Sequence, residues 1–314
     1  MFFLKKYDKK EQNSFLLFNQ KNKKYNLFMK TQNNSQIKII HSIASIIIDS
    51  LSIISSIIIL IVESLYNWSS WWWILLTPVI TFAGLWILLY LFVFGMSFTC
   101  SKTKQYKSIS KFYHFMFNLG YSCLIGCGRI TIKVKGLEKM PEDTHFLLVS
   151  NHRSKFDNMI QSYVLKDYNI AYISKPSNFK IPFGNRYMNR NLYLKLNRES
   201  LREGIKTIYK AIDLLENNIT NIGIFPEGTR SLDGKLGEFK PGSFKIATVA
   251  QKPIVIVSMK NTEKIHNNFP FKRTIVEMDI IDVLYDDIRT MNTIELSEKV
   301  RNIIDEDLKN EKEV

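Results

Sequence analysis

Hydrophobic positions follow two patterns along this chain. From about Ile39 to Cys100 apolar residues run nearly unbroken, and beyond Lys111 they break into short alternating runs separated by segments of helical spacing. Within the first pattern, "SLYNWSSWWWILLTPVITFAGLWILLYLFVFGMSFTC", Ser64 to Cys100, holds no charged residue. It is longer than the roughly 20 residues a helix needs to cross a bilayer, whereas a buried helix of a soluble protein carries an apolar run of about 10 to 14. Trp71, Trp72 and Trp73 stand at one end, where interfacial anchors belong. Pro78 and Gly84 inside it are tolerated in a membrane helix. The block before it, Ile39 to Val62, is serine-rich and interrupted by Asp49, so it either crosses the membrane or lies at its surface. Together the two blocks predict a helical hairpin.

The second pattern predicts an α/β unit. Alternation marks "ITIKVKG" as a strand, and "HFLLVS", "NIAYIS", "NLYLKL", "NIGIF", "PIVIVSM" and "TIVEMDIIDV" complete a set of seven. Between them, "SLREGIKTIYKAIDLLENN" places Leu201, Ile205, Ile208 and Ile212 at helical spacing, "GSFKIATVAQ" is a shorter helix, and Leu296, Val300, Ile303 and Ile304 form a C-terminal stripe. Strands alternating with helices give a mostly parallel or mixed sheet of about seven strands with helices on its faces. Three parts follow: a basic, flexible or surface-lying arm over residues 1–38, a membrane hairpin over 39–100, and an α/β domain over 101–314.

Charge orients this layout. The 43 lysines and arginines outnumber the 29 acidic residues, for a formal net charge of +14, which favours polyanionic partners. Lysines crowd before the first apolar block, and Lys102, Lys104, Lys107 and Lys111 follow the second, while the junction after Glu63 has none. Both outer ends of the hairpin are therefore expected on the cytoplasmic side. Three cysteines, Cys100, Cys123 and Cys127, are too few for a disulfide framework. The pair in "CLIGC" lacks the further ligands a zinc site needs, so no metal is expected.

Chemistry concentrates in three stretches. In "SNHRSKFD", Ser150 to Asp157, His152 follows a buried strand and Asp157 opens the next helix. A carboxylate on one imidazole nitrogen leaves the other free to take a proton; the bland alternative is a helix cap beside a loop histidine. No G-x-S-x-G nucleophile is present, so the attacking hydroxyl can belong to a substrate. In "GIFPEGTRS", Gly223 to Ser231, Gly228 permits close backbone approach, Arg230 can grip a phosphate, and Glu227 can order a hydroxyl or a basic group. A surface Glu–Arg turn is the plain alternative there. Between them Lys175, Lys180, Arg186, Arg190, Lys195 and Arg198 are interleaved with hydrophobic residues, including the aromatics Tyr172, Phe179 and Phe183. Such a mix can face anionic head groups or RNA; the apolar hairpin favours lipid, and no nucleic-acid partner is expected.

In this order the stretches resemble the 1-acyl-sn-glycerol-3-phosphate acyltransferase family. Asn151, His152, Ser154 and Asp157 match its NHxSxxD block, Lys175 to Gly184 its Lys/Phe/Pro stretch, and Phe225 to Ser231 its FPEGTRS block in full. Arg198 matches the block between, where Leu192 and Asn197 replace the usual glycine and aspartate; Pro253 matches the first proline of the last block and Ile256 replaces the second. The resemblance implies the glycerolipid acyltransferase fold and transfer of an acyl chain from acyl-CoA or acyl carrier protein to lysophosphatidic acid, without an acyl-enzyme or bound cofactor. It implies His152 as general base and Asp157 as its support. It implies Arg198, Glu227, Gly228, Thr229, Arg230 and Lys175 on the acceptor and phosphate side, and Pro253 on the acyl or donor side. It also implies a cell-membrane protein with its catalytic domain facing the cytoplasm, seated on anionic lipid. Two alternatives stand beside it: an acyltransferase for glycerol-3-phosphate or another lysolipid, and a membrane-anchored binding protein without catalysis.

Overall fold

A computed structural model describes residues 37–66, 72–182, 184–231 and 235–310. The arm up to residue 36, Trp71 and Phe183 lie outside the described residues, as do the side chains of Trp72 and Trp73. Eight strands form one sheet: β1 (Lys38–Ile40), β2 (Ile130–Lys135), β3 (Leu147–Ser150), β4 (Ile170–Ser174), β5 (Leu194–Lys195), β6 (Asn221–Ile224), β7 (Ile254–Lys260) and β8 (Thr274–Leu284). Their order across the sheet is β1-β2-β8-β7-β3-β6-β4-β5. β7, β3, β6, β4 and β5 are mutually parallel. β8 runs antiparallel to β7, β2 lies parallel to β8, and β1 is antiparallel to β2. The sheet is thus mixed, with one strand more than the alternating pattern predicts.

Burial explains the order. β3 lies between β7 and β6 and all four of its residues are buried, as are the four of β6 and the seven of β7. Continuous apolar runs of this kind belong to strands covered on both faces. The helices supply the covering: α1 (Ile43–Tyr66), α2 (Trp72–Ser97), α3 (Lys111–Cys127), α4 (Asp157–Val164), α5 (Gly184–Arg190), α6 (Leu201–Glu216), α7 (Lys245–Ala250) and α8 (Thr293–Asn310). In α8, Leu296, Val300 and Ile304 are fully buried against the sheet, as their spacing predicts. In α6 the stripe holds only at its far end. Ile212 is buried, but Leu201 is 80% and Ile205 47% exposed. The sheet ends at β5, two residues long, and leaves the first turns of α6 overhanging it.

α1 and α2 are both long and apolar enough to cross a membrane. The 24 residues of α1 measure about 36 Å at 1.5 Å per residue, against a hydrocarbon core of roughly 30 Å. Most of their large side chains, including Ile46, Ile53, Ile57, Leu88 and Phe92, face outward. The pair is docked rather than tethered, because α3 packs against both. The Ser42 hydroxyl donates to the Ser122 carbonyl at 2.6 Å, and the Tyr187 hydroxyl donates to the Val93 carbonyl at 2.8 Å. Gly126 makes the approach of α3 and α1 possible: a Cβ there would stand 2.0 Å from the Ser45 hydroxyl.

Candidate active site

Because the five strands from β7 to β5 are parallel, the chain leaves each of them at one edge of the sheet, the position where α/β folds gather ligand groups. Four segments meet there. His152 follows β3, Lys175 follows β4, Arg198 follows β5, and Phe225 to Ser231 follow β6. The sequence spreads these residues over 80 positions, and the parallel order brings their segments to one border.

The Asp157 carboxylate is fully buried, and its Oδ2 lies 2.8 Å from His152 Nδ1. The same oxygen accepts the backbone N–H groups of Arg153 at 2.7 Å and Ser154 at 2.8 Å. An ionised carboxylate has only acceptors, so Nδ1 carries the imidazole proton and Nε2 is the basic nitrogen. The ring remains 21% exposed, open to a partner from outside. It is stacked on Phe225 at 4.3 Å between centroids, and Phe225 is stacked on Tyr172 at 6.0 Å. Asn151 fixes the loop from behind: its side chain accepts from the Met259 N–H at 2.8 Å and donates to the Met259 carbonyl at 2.9 Å, in the manner of a paired strand residue.

Glu227 does something the motif alone does not reveal. One carboxylate oxygen accepts the His152 N–H at 2.7 Å and the other the Gly237 N–H at 2.9 Å. It therefore braces the histidine loop against the segment at Gly237, instead of pointing both oxygens at a ligand. The Ser231 N–H donates to the His152 carbonyl at 2.9 Å, so the histidine is held through both its backbone groups by the Phe225–Ser231 loop. Burial pushes the Glu227 carboxyl above the usual carboxylate range, opposed by the two N–H donors and the nearby imidazole.

A cationic cluster closes the other side. Gly228 has φ +75°, a conformation that only glycine adopts freely, and its carbonyl accepts from Arg198 Nη1. A Cβ at Gly228 would lie 3.3 Å from Lys240 Nζ and 3.4 Å from the Arg198 guanidinium carbon, so two cations converge on this glycine. Surrounding atoms desolvate Arg198 enough to lower its pKa, although an arginine stays charged. Thr229, Arg230 and Lys175 are exposed at the same edge. Lys240 stands in the "FKPG" that continues the motif block after the loop.

Two residues stand apart. Pro253, expected on the acyl side, is buried at the start of β7, where its carbonyl accepts the Leu147 N–H at 2.9 Å. That is the opposite border of the sheet, about 13 Å from the active edge over four residues of strand. His114 is packed between elements, with Nδ1 3.0 Å from Asn191 Oδ1 and Nε2 2.8 Å from the Lys166 carbonyl. Among the described residues no group of three or more His, Cys, Asp or Glu side chains could hold a metal ion.

Residues 131–260 match the family model described as Acyltransferase. The chain is 34% identical over 156 residues to a chloroplastic 1-acyl-sn-glycerol-3-phosphate acyltransferase of Arabidopsis thaliana, covering 49% of this chain and 43% of that protein. It is also 34% identical over 146 residues to the 1-acyl-sn-glycerol-3-phosphate acyltransferase of Borreliella burgdorferi, covering 46% and 56%. The crystal structure of the 1-acyl-sn-glycerophosphate (LPA) acyltransferase from Thermotoga maritima superposes with a TM-score of 0.51 at 25% identity, covering 70% of this chain and 87% of that one. The chain spans about half the length of the two curated relatives named here. The mixed sheet with flanking helices and an N-terminal apolar pair is the fold of the Thermotoga enzyme.

Proposed function

Since the chain belongs to the acyltransferase family, we propose that it transfers an acyl chain from a thioester to the free hydroxyl of 1-acyl-glycerol-3-phosphate, giving phosphatidic acid. The observation that carries this reading is the His152–Asp157 pair, locked at 2.8 Å on the edge where the Phe225–Ser231 loop presents Gly228 and its cations. His152 Nε2 takes the proton of the lipid hydroxyl, and the oxygen attacks the carbonyl carbon of the thioester. The C–S bond breaks, the thiolate leaves, and the imidazolium returns the proton to it. Asp157 stabilises the imidazolium between the two transfers. Charge and positioning do the remaining work, because direct transfer needs no acyl-enzyme.

Arg198 and Lys240 are assigned to the acceptor phosphate, with Arg230 and Lys175 adding positive potential at the rim. The donor is acyl-CoA or acyl carrier protein. α1 and α2 hold the protein in the membrane, and Lys102, Lys104, Lys107 and Lys111 put the catalytic side on the cytoplasmic face. Glycerol-3-phosphate or another lysolipid is the alternative acceptor, since Leu192 and Asn197 depart from the family's residues in the block around Arg198. Purified membranes given a thioester donor with either acceptor test the reading. Lysophosphatidic acid is expected to be used, and the His152→Ala variant, still folded by circular dichroism, to lose turnover. Undiminished turnover by that variant would remove His152 from the reaction.

A further inference from the structure

A second cationic recess lies on the same edge of the sheet, away from His152. β2 and β8 run opposite to β3, so their first residues stand at the border where β3 ends. β1 is antiparallel to β2 and ends there as well, and the chain passes directly from it into α1. Between these starts and α1 is a cavity of about 340 Å³ whose lining includes His41, Ser45, Asp49, Arg129, Thr131 and Arg273. That volume is within the roughly 300–1,000 Å³ of small-ligand pockets. At about 4.8 Å per strand, the three steps from β2 to β3 put its β2 lining roughly 14 Å across the sheet from the strand that leads to the histidine.

Both arginines are set in place by the fold. Arg273 Nε donates to the hydroxyl of Thr131, which is only 5% exposed, at 3.0 Å, and Arg129 Nη1 donates to the Phe271 carbonyl at 3.0 Å. A guanidinium has five N–H groups, so each keeps donors for a ligand. Arg129 also has φ 50°. A long side chain rarely occupies that left-handed conformation, and such outliers gather where a side chain has a task. Phe271, whose backbone carbonyl Arg129 holds, is 82% exposed, and Lys272 beside it is exposed too. An outward aromatic with basic neighbours suits the membrane–water interface. Ile46 lines the cavity and is 56% exposed on the outer surface of α1, so the recess opens onto an apolar helix.

We propose that this recess binds the phosphate of an anionic phospholipid from the surrounding bilayer, clasped by Arg129 and Arg273, with its acyl chains along Ile46 and Ile47 of α1 and Phe271 in the interface beside it. Charge complementarity selects the phosphate: two arginines, Arg129 and Arg273, line the recess against one carboxylate, Asp49. Continuity with the exposed α1 surface selects a lipid over a free anion. This site is separate from the one assigned to the acceptor.

The test uses the full chain in nonionic detergent, with phosphatidylglycerol or phosphatidylcholine added and the melting midpoint read. At an excess of about 100-fold over Kd, phosphatidylglycerol is expected to raise the midpoint by about 5 °C more than phosphatidylcholine. The Arg129→Gln/Arg273→Gln double variant should lose that increment. Asp49→Asn should enlarge it, by removing the one repelling charge, and Arg198→Gln should keep it. An equal response to both lipids overturns the proposal, as does an increment that survives in the double variant. Loss of the increment in Arg198→Gln would move the lipid to the acceptor site, and a full shift from glycerol phosphate alone would make the ligand a free anion; either result overturns the proposal. Should the double variant fail to fold, Asp49→Asn decides, and no enlargement in it overturns the assignment.

Discussion

Replacing Glu227 by glutamine keeps the side chain's volume but removes a charge and one acceptor from the loop that carries His152. In the wild type the two carboxylate oxygens accept the His152 N–H at 2.7 Å and the Gly237 N–H at 2.9 Å. Each is a hydrogen bond to a charged group, worth about 1.5–3 kcal/mol. Glutamine can satisfy one N–H through its oxygen, and its amide then meets the other donor to donor. If the histidine side is the one lost, about 1.5–3 kcal/mol of positioning disappears, or roughly 10- to 150-fold in rate at 1.36 kcal/mol per factor of ten. The lost negative charge also weakens support for the imidazolium, which acts in the same direction.

The effect should fall on kcat. Arg198 still donates to the Gly228 carbonyl and Lys240 still approaches that glycine, so the acceptor's phosphate contacts survive. Thiol release from the donor, followed colorimetrically while the acceptor concentration is varied, separates kcat from KM. A brace predicts a lower kcat with KM for the acceptor within about twofold. A residue that binds the acceptor predicts the reverse. If KM rises tenfold while kcat holds, Glu227 touches the lipid and the bracing role is wrong.

Lys240→Met, which removes an exposed cation from Gly228, should raise KM for a phosphate acceptor about fivefold, close to 1 kcal/mol, and leave KM for the thioester unchanged; steady-state kinetics with both substrates varied decide this. Gly126→Ala should cost about 1–3 kcal/mol, because its methyl would overlap the Ser45 hydroxyl and crowd Trp86, and the melting midpoint in detergent should fall accordingly; an unchanged midpoint would mean α1 and α3 do not meet there. Burial raises the Glu227 pKa, so the folded chain holds that proton more tightly than the unfolded one. The stability this contributes is complete below the unfolded value and is lost as pH rises through the folded one. Lowering pH from neutrality into the carboxylate range should therefore raise the wild-type midpoint relative to Glu227→Gln, and a pH-independent difference would contradict the raised value.

Elements whose information is local were legible in the chain. β3 and β6 read as buried strands because each is a run of apolar residues closed by turn-forming ones, and the His152–Asp157 spacing spans a single turn. The rest depends on partners distant in sequence. Lys38–Ile40 looks like the head of an apolar block, and only its pairing with Ile132–Val134 makes it an edge strand. The run at Asn191 to Leu196 reads as one strand, yet the Asn191 N–H donates to the Tyr187 carbonyl and Leu192 has φ 60°, so the strand shrinks to Leu194–Lys195. Leu201 and Ile205 carry the correct period for burial, but among the described residues no strand lies beyond β5 to bury them. Glu227 points to a backbone N–H ten residues away, and a hydrogen bond to main chain leaves no mark on residue type.

Strand direction links the hairpin to the chemistry. β1 ends, β2 and β8 begin, and β3, β4, β5 and β6 end on one border, so α1 departs from the border that carries His152. Seven inter-strand gaps make that border about 34 Å wide at 4.8 Å each. Its flanks expose apolar side chains, Phe271 at 82% beside β8 and Leu201 at 80% beyond β5. In water, both would be left hydrated at about 25 cal/mol per Å² of apolar surface, whereas a border laid on the bilayer covers both at once. With α1 and α2 in the membrane, that is the orientation in which the histidine faces the head-group layer. A membrane lipid then reaches His152 with its chains still immersed, avoiding about 0.8 kcal/mol for each methylene that extraction would expose. The order of the strands thereby sets the depth at which the proposed reaction runs.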